Sequence, residues 1–114
     1  MLKLSLRSEY FNAIKAGTKT VEGRLNTAKF KDLKPGMPIC FVLPETGEEL
    51  YCNVQAINIY PSWLDMLQSE GLQNMLPGID SLQSGVKLYE SFPGYQEGVS
   101  ELGALAIRIM LLSY

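Results

Sequence analysis

Gly17-Thr18-Lys19-Thr20-Val21-Glu22-Gly23-Arg24 is the densest polar stretch of the chain, and its two halves belong to different secondary structures. Upstream, Tyr10, Phe11 and Ile14 fall at helical spacing, Ser8 offers an N-cap and Gly17 supplies the stop. Downstream, the β-branched content of 18–25 predicts a strand. Period-two alternation then puts Thr20, Glu22 and Arg24 on one face, with Glu22 and Arg24 roughly 7 Å apart. Lys19 falls on the opposite face unless it occupies the turn before regular pleating begins. Taken alone, such an E-x-R pair is a surface ion pair worth about 0–1 kcal/mol.

Outward from this stretch the same two periodicities organise the chain. Leu2, Leu4 and Leu6 alternate with polar residues and predict a short half-buried strand. Residues 26–36 form a basic loop ending in a Pro35-Gly36 turn, with Lys29, Lys31 and Lys34 either solvated or in contact with phosphates. Segments 39–43 and 50–59 predict a hairpin around Pro44-Glu45-Thr46-Gly47-Glu48. Symmetry about Thr46 would set Cys40 opposite Cys52, as reduced core residues or as a redox pair. Ser62, with Asp65 three residues on, caps a helix from Trp63 to about Ser69. A second helix carries Leu82, Val86 and Tyr89 at i, i+4 and i+7 and ends at Phe92-Pro93-Gly94. Residues 98–101 are expected to be loop and 102–112 a buried strand. The order β-α-β-β-β-α-α-β predicts an α+β fold with a mostly antiparallel sheet, curled into a small barrel so that its edges are covered.

Composition narrows the chemistry. The 114 residues suit a single domain over 1–114, and 46% apolar content with 19% charged residues excludes a disordered chain. The chain has no histidine, which removes Ser-His-Asp and Cys-His nucleophile systems and histidine-ligated zinc. Two cysteines are too few for a disulfide scaffold or a thiolate metal site, so no metal or cofactor is expected. With no long apolar run and no signal-peptide pattern, a cytoplasmic protein without membrane contact is expected, as a monomer. The net charge of −2 conceals a split: residues 1–34 hold eight basic residues against three acidic ones, and 35–114 hold two against nine. That asymmetry allows a basic face for a polyanion.

Gly17, Lys19, Glu22 and Arg24 match the G-x-K-x-x-E-x-R signature of the ASCH domain, the activating signal cointegrator homology family. The chain also resembles that family through Tyr10-Phe11-x-x-Ile14, Leu33-Lys34-Pro35-Gly36, Tyr60-Pro61-Ser62-Trp63, Leu76-Pro77-Gly78 and Gly103-Ala104-Leu105-Ala106-Ile107, in that order. The resemblance implies a PUA-like β-barrel with flanking short helices. It further implies RNA or a modified nucleoside as partner, in a cleft between 17–24 and 62–72. Gly17, Lys19, Thr20, Glu22, Arg24 and Trp63 are the candidate ligand contacts. Some family members are amidohydrolases on acetylated cytidine, and ribonuclease activity is attributed to others. In the amidohydrolases a lysine, a threonine three residues later and a mid-chain glutamate form the catalytic set. Here Lys19 matches the lysine, Glu22 stands where the threonine would be, and Glu70 is the candidate glutamate. A carboxylate near Lys19 favours a fixed cation over a nucleophile.

Overall fold

The computed structural model describes residues 1–112. Five strands form one sheet in the order β1-β3-β4-β5-β2: β1 Leu2–Ser5, β2 Val21–Leu25, β3 Pro38–Leu43, β4 Glu48–Tyr60 and β5 Ala104–Leu111. The β1–β3 pairing is parallel and the others are antiparallel. The thirteen-residue β4 pairs with β3 through its first half and with β5 through its second. Gln55 is an extra residue between the paired positions Val54 and Ala56, and such a bulge bends the strand. The sheet accordingly curls into a half-barrel, and its two edge strands, β1 and β2, meet at a seam where Arg24 Nη2 donates to Ser5 O at 2.8 Å.

Five α-helices among the described residues complete the α+β fold: α1 Ser8–Ala16, α2 Trp63–Glu70, α3 Leu72–Met75, α4 Leu82–Glu90 and α5 Tyr95–Leu102. The concave face of the sheet receives Phe11 and Ile14 of α1, and with Leu105, Ile107 and Ile109 these form one core. The convex face carries the other helices and a second core around Trp63, Met66 and Tyr89. Strand β5 serves both, which explains its continuous apolar run. Leu105 and Ile107 face the first core, while Ala104 and Ala106 face the second and let the helices approach closely. The Ser62 cap of α2 is as expected, its hydroxyl accepting from Asp65 N at 3.0 Å, an interaction worth about 1 kcal/mol.

Three expectations are corrected. Residues 98–101 lie in helix α5, because Tyr95 and Val99 anchor it on the second core. Gly98, which suggested a loop, is there for close packing: a Cβ would lie 2.9 Å from Leu25 Cδ2. Arg7 rather than Ser8 occupies the N-cap of α1. The hairpin loop has four residues, pairing Leu43 with Glu48, so Cys40 opposes Tyr51 and Cys52 opposes Ile39. The two thiols are free and point to opposite faces, which excludes the facing redox pair, and burial raises Cys52 to about 11. No helix among the described residues is long and apolar enough to cross a membrane.

Candidate functional site

Lys19 lies in the turn between α1 and β2. Gly17 adopts the left-handed conformation (φ 86°), and the N–H groups of Thr18 and Lys19 both donate back to Ala13 O, at 2.9 and 3.1 Å. This wrap precedes regular pleating and turns the Lys19 side chain inward, to 2% exposure. Its Nζ donates to Val21 O at 2.8 Å, to Met75 O at 2.5 Å and to Glu22 Oε1 at 3.0 Å. An ammonium has three N–H bonds, and all three are engaged. Burial pulls the Lys19 pKa below the ordinary range against the opposing attraction of Glu22. The three converging acceptors nonetheless mark the protonated form, since a neutral amine has only two N–H bonds to offer them.

Glu22 and Arg24 share the concave face, as alternation requires, but they are not a surface pair. Glu22 is buried, and its Oε2 accepts from Arg24 Nε at 2.6 Å. Burial alone would raise the Glu22 pKa; the Lys19 and Arg24 charges overcome it and hold the carboxyl below its usual range. The cluster Lys19–Glu22–Arg24 thus carries one net positive charge at the base of a cleft of about 170 Å³. Ser5, Arg7 and Tyr10 form one wall of that cleft, from the end of β1 and the start of α1. The other wall is aromatic. Tyr89 and Tyr95 stack on Trp63 with centroids 4.8 and 5.2 Å away, and Phe92 meets both edge-on. The Arg7 guanidinium lies 5.3 Å over the Phe92 ring, joining the walls at the rim.

A model of the ASCH domain family matches residues 4–113. The chain belongs to the ASCH domain family. The crystal structure of the hypothetical protein PH0355 is 38% identical, with a TM-score of 0.86 over 97% of this chain and 98% of that one. The solution structure of PF0455 from Pyrococcus furiosus is 36% identical, with a TM-score of 0.78 over 99% and 98% of the two chains. The crystal structure of an ASCH protein from Zymomonas mobilis shares the fold at 19% identity, with a TM-score of 0.64 over 95% of this chain and 65% of that one. No curated protein matches. The curled sheet and short helices are those of the PUA-like ASCH fold, and the ASCH family is generally RNA-binding-related.

Within this ASCH domain the candidates separate. Lys19, Glu22 and Arg24 converge in the cleft. Gly17 and Thr20 are exposed, Gly17 capping α1 and Thr20 pairing its backbone with Asn74 O and Ile109 N, and neither lines the cleft. Trp63 is 2% exposed, behind Tyr89 and Tyr95. Glu70 sits across the sheet from Glu22, on the convex face, where it accepts from Asn58, Tyr60 and Arg108. Burial would raise its carboxyl, but these donors hold it below the usual range. The expected second wall, 62–72, is therefore replaced by 88–95, because β2 is an edge strand and α4–α5 pack beside it. Arg7 and Tyr10 escaped sequence reasoning, since no local pattern distinguishes them from an ordinary cap and an apolar-face tyrosine. Tyr95 is half-buried.

Charge is also rearranged by folding. Lys3 and Lys15 pair with Glu49 and Glu48 of β4, at 2.8 and 2.7 Å. Arg7, Lys29, Lys31 and Lys34 of the basic first third have no ion pair among the described residues. No group of three or more metal-ligating side chains occurs among the described residues.

Gly23 decides how closely the aromatic wall approaches. A Cβ there would lie 2.5 Å from Tyr89 Oη and 2.9 Å from Met66 Cε. Gly23→Ala is expected to cost about 1–3 kcal/mol by overpacking and to weaken ligand binding through displacement of Tyr89. Chemical denaturation of the variant checks this, and wild-type stability would contradict it.

Proposed function

We propose that this ASCH domain recognises RNA, or a ligand of nucleotide size, in the cleft at the β1–β2 seam. The observation that carries the reading is the pairing of positive charge, Arg7 at the rim and Arg24 at the base, with an aromatic wall containing Phe92 and Tyr95. Guanidinium groups meet phosphate oxygens, and aromatic rings stack bases for roughly 1–3 kcal/mol each. Glu22, held ionised by its two cations, retains acceptor capacity for a base amino group. Lys19 contributes by fixing Glu22 rather than by touching ligand.

The amidohydrolase alternative, on an acylated nucleoside such as acetylated cytidine, and the ribonuclease alternative have less support. An unprotonated lysine is needed for a base or nucleophile, and Lys19 already donates three hydrogen bonds. Glu70, its proposed catalytic partner, lies on the opposite face of the sheet.

Fluorescence anisotropy with a labelled single-stranded RNA across a salt series tests the recognition reading. If about three phosphates are engaged, log affinity falls against log salt with a slope of about −2. Salt-independent binding, or none at low salt, would sink the proposal. Conversion of acetylated cytidine to cytidine by pure protein would replace it with the hydrolase.

A further inference from the structure

Strand β2 is an edge, and its hydrogen-bonding parity leaves one residue open at the cleft. Thr20 O accepts from Ile109 N, and Asn26 N donates to Gly103 O, so even-numbered residues turn their backbone groups toward β5. Val21, Gly23 and Leu25 therefore face the seam. The carbonyls on either side are closed from within the protein: Val21 O accepts from Lys19 Nζ and Leu25 O accepts from Thr27 N, both at 2.8 Å. Gly23 is buried and lines the cleft, yet neither its N–H nor its C=O has a protein partner among the described residues. Buried backbone groups are almost always paired, with protein, water or ligand.

We infer that the Gly23 N–H and C=O are the groups that read the ligand, by pairing with a nucleobase edge that presents an acceptor beside a donor. The inference rests on the nucleotide-binding reading above and assigns its specificity to these two atoms. Every base offers such an edge: an N–H next to a carbonyl in uracil and guanine, an amino group next to a ring nitrogen in cytosine and adenine. A peptide strand fits poorly. Strand addition uses every second residue of an edge, but the carbonyls two positions away are occupied and the Arg24–Ser5 bond closes the gap between β1 and β2. One cleft residue with both backbone groups open, in a cavity of about 170 Å³ with an aromatic wall, suits a single planar ring system. Glycine is required on both counts, because a side chain would collide with Tyr89 and would screen the backbone.

The test uses the wild-type protein, labelled with ¹⁵N and titrated with AMP, CMP, GMP, UMP and a short single-stranded RNA. On saturation by whichever nucleotide binds, the Gly23 amide signal should shift and its solvent exchange slow by roughly tenfold or more, as befits a new buried hydrogen bond. The same nucleotide methylated on its Watson–Crick ring nitrogen should bind at least about tenfold more weakly. If the signals of Arg24 and Tyr95 respond while the Gly23 amide stays still, or if the methylated nucleotide binds equally well, the Gly23 assignment fails and the recognition proposal stands. If neither the monophosphates nor the RNA bind at low salt, both fail.

Discussion

Lys19→Met lowers the stability of the domain by about 3–5 kcal/mol, the cost of removing one partner from a buried ion pair. That is a large share of the roughly 5–15 kcal/mol that holds a domain together. The loss arises because the Glu22 carboxylate keeps only Arg24, and the Val21 and Met75 carbonyls lose their donor. Lys19→Arg gives little rescue, since a planar guanidinium cannot aim three N–H bonds at three acceptors converging on one point. The deficit is pH-dependent. Glu22 is held below its ordinary value of 4.5, so its pairing contributes stability above that value and loses it as pH falls through the lowered folded one. The gap between wild type and Lys19→Met therefore narrows in acid. Urea unfolding at pH 7 and at about pH 3.5 measures both effects, and a deficit below about 1 kcal/mol at pH 7 would mean a solvated ion pair instead.

Trp63→Ala should cost a comparable amount, about 3–5 kcal/mol for deletion of a large buried aromatic. Trp63 packs into the second core, carries the stacked rings of Tyr89 and Tyr95, and donates from Nε1 to Tyr95 O at 3.2 Å. Its removal leaves two cleft-lining rings without their support. RNA affinity is expected to drop as well, although Trp63 itself is shielded from the cleft. Trp63→Phe keeps part of the stacking and should recover part of both quantities. Affinity unchanged in Trp63→Ala, at a temperature where the variant is folded, would show that the aromatic wall takes no part in binding.

The strands and most helices were legible because each has its own local signal. Alternation marked β1, the Ser62–Asp65 box marked α2, and the apolar run 102–112 marked a buried strand, which forms over Ala104–Leu111. Helix α5 was not legible: its two glycines, Gly94 and Gly98, read as loop, whereas Gly98 is dictated by Leu25, more than seventy residues earlier. The cysteine register failed for a smaller reason. One residue fewer in the hairpin loop moves every side chain of the partner strand to the other face.

By itself the sequence determined, through periodicity, the fold class and the presence of Glu22 and Arg24 on one face, and it resembled the ASCH family through the 17–24 octet and five further segments in order. It also limited the chemistry, since a chain without histidine cannot use imidazole. Only the tertiary structure decided which candidates meet. Lys19 reaches Glu22 because the turn after Gly17 folds back on Ala13, and its third acceptor, Met75 O, comes from a helix 56 residues away in sequence. Glu70 is kept from them by the sheet itself, and the wall that replaces 62–72 is supplied by α4 and α5. Periodicity assigns a residue to a face of its own element, whereas the partner of that face depends on strand order and on which edges the curl of the sheet brings together.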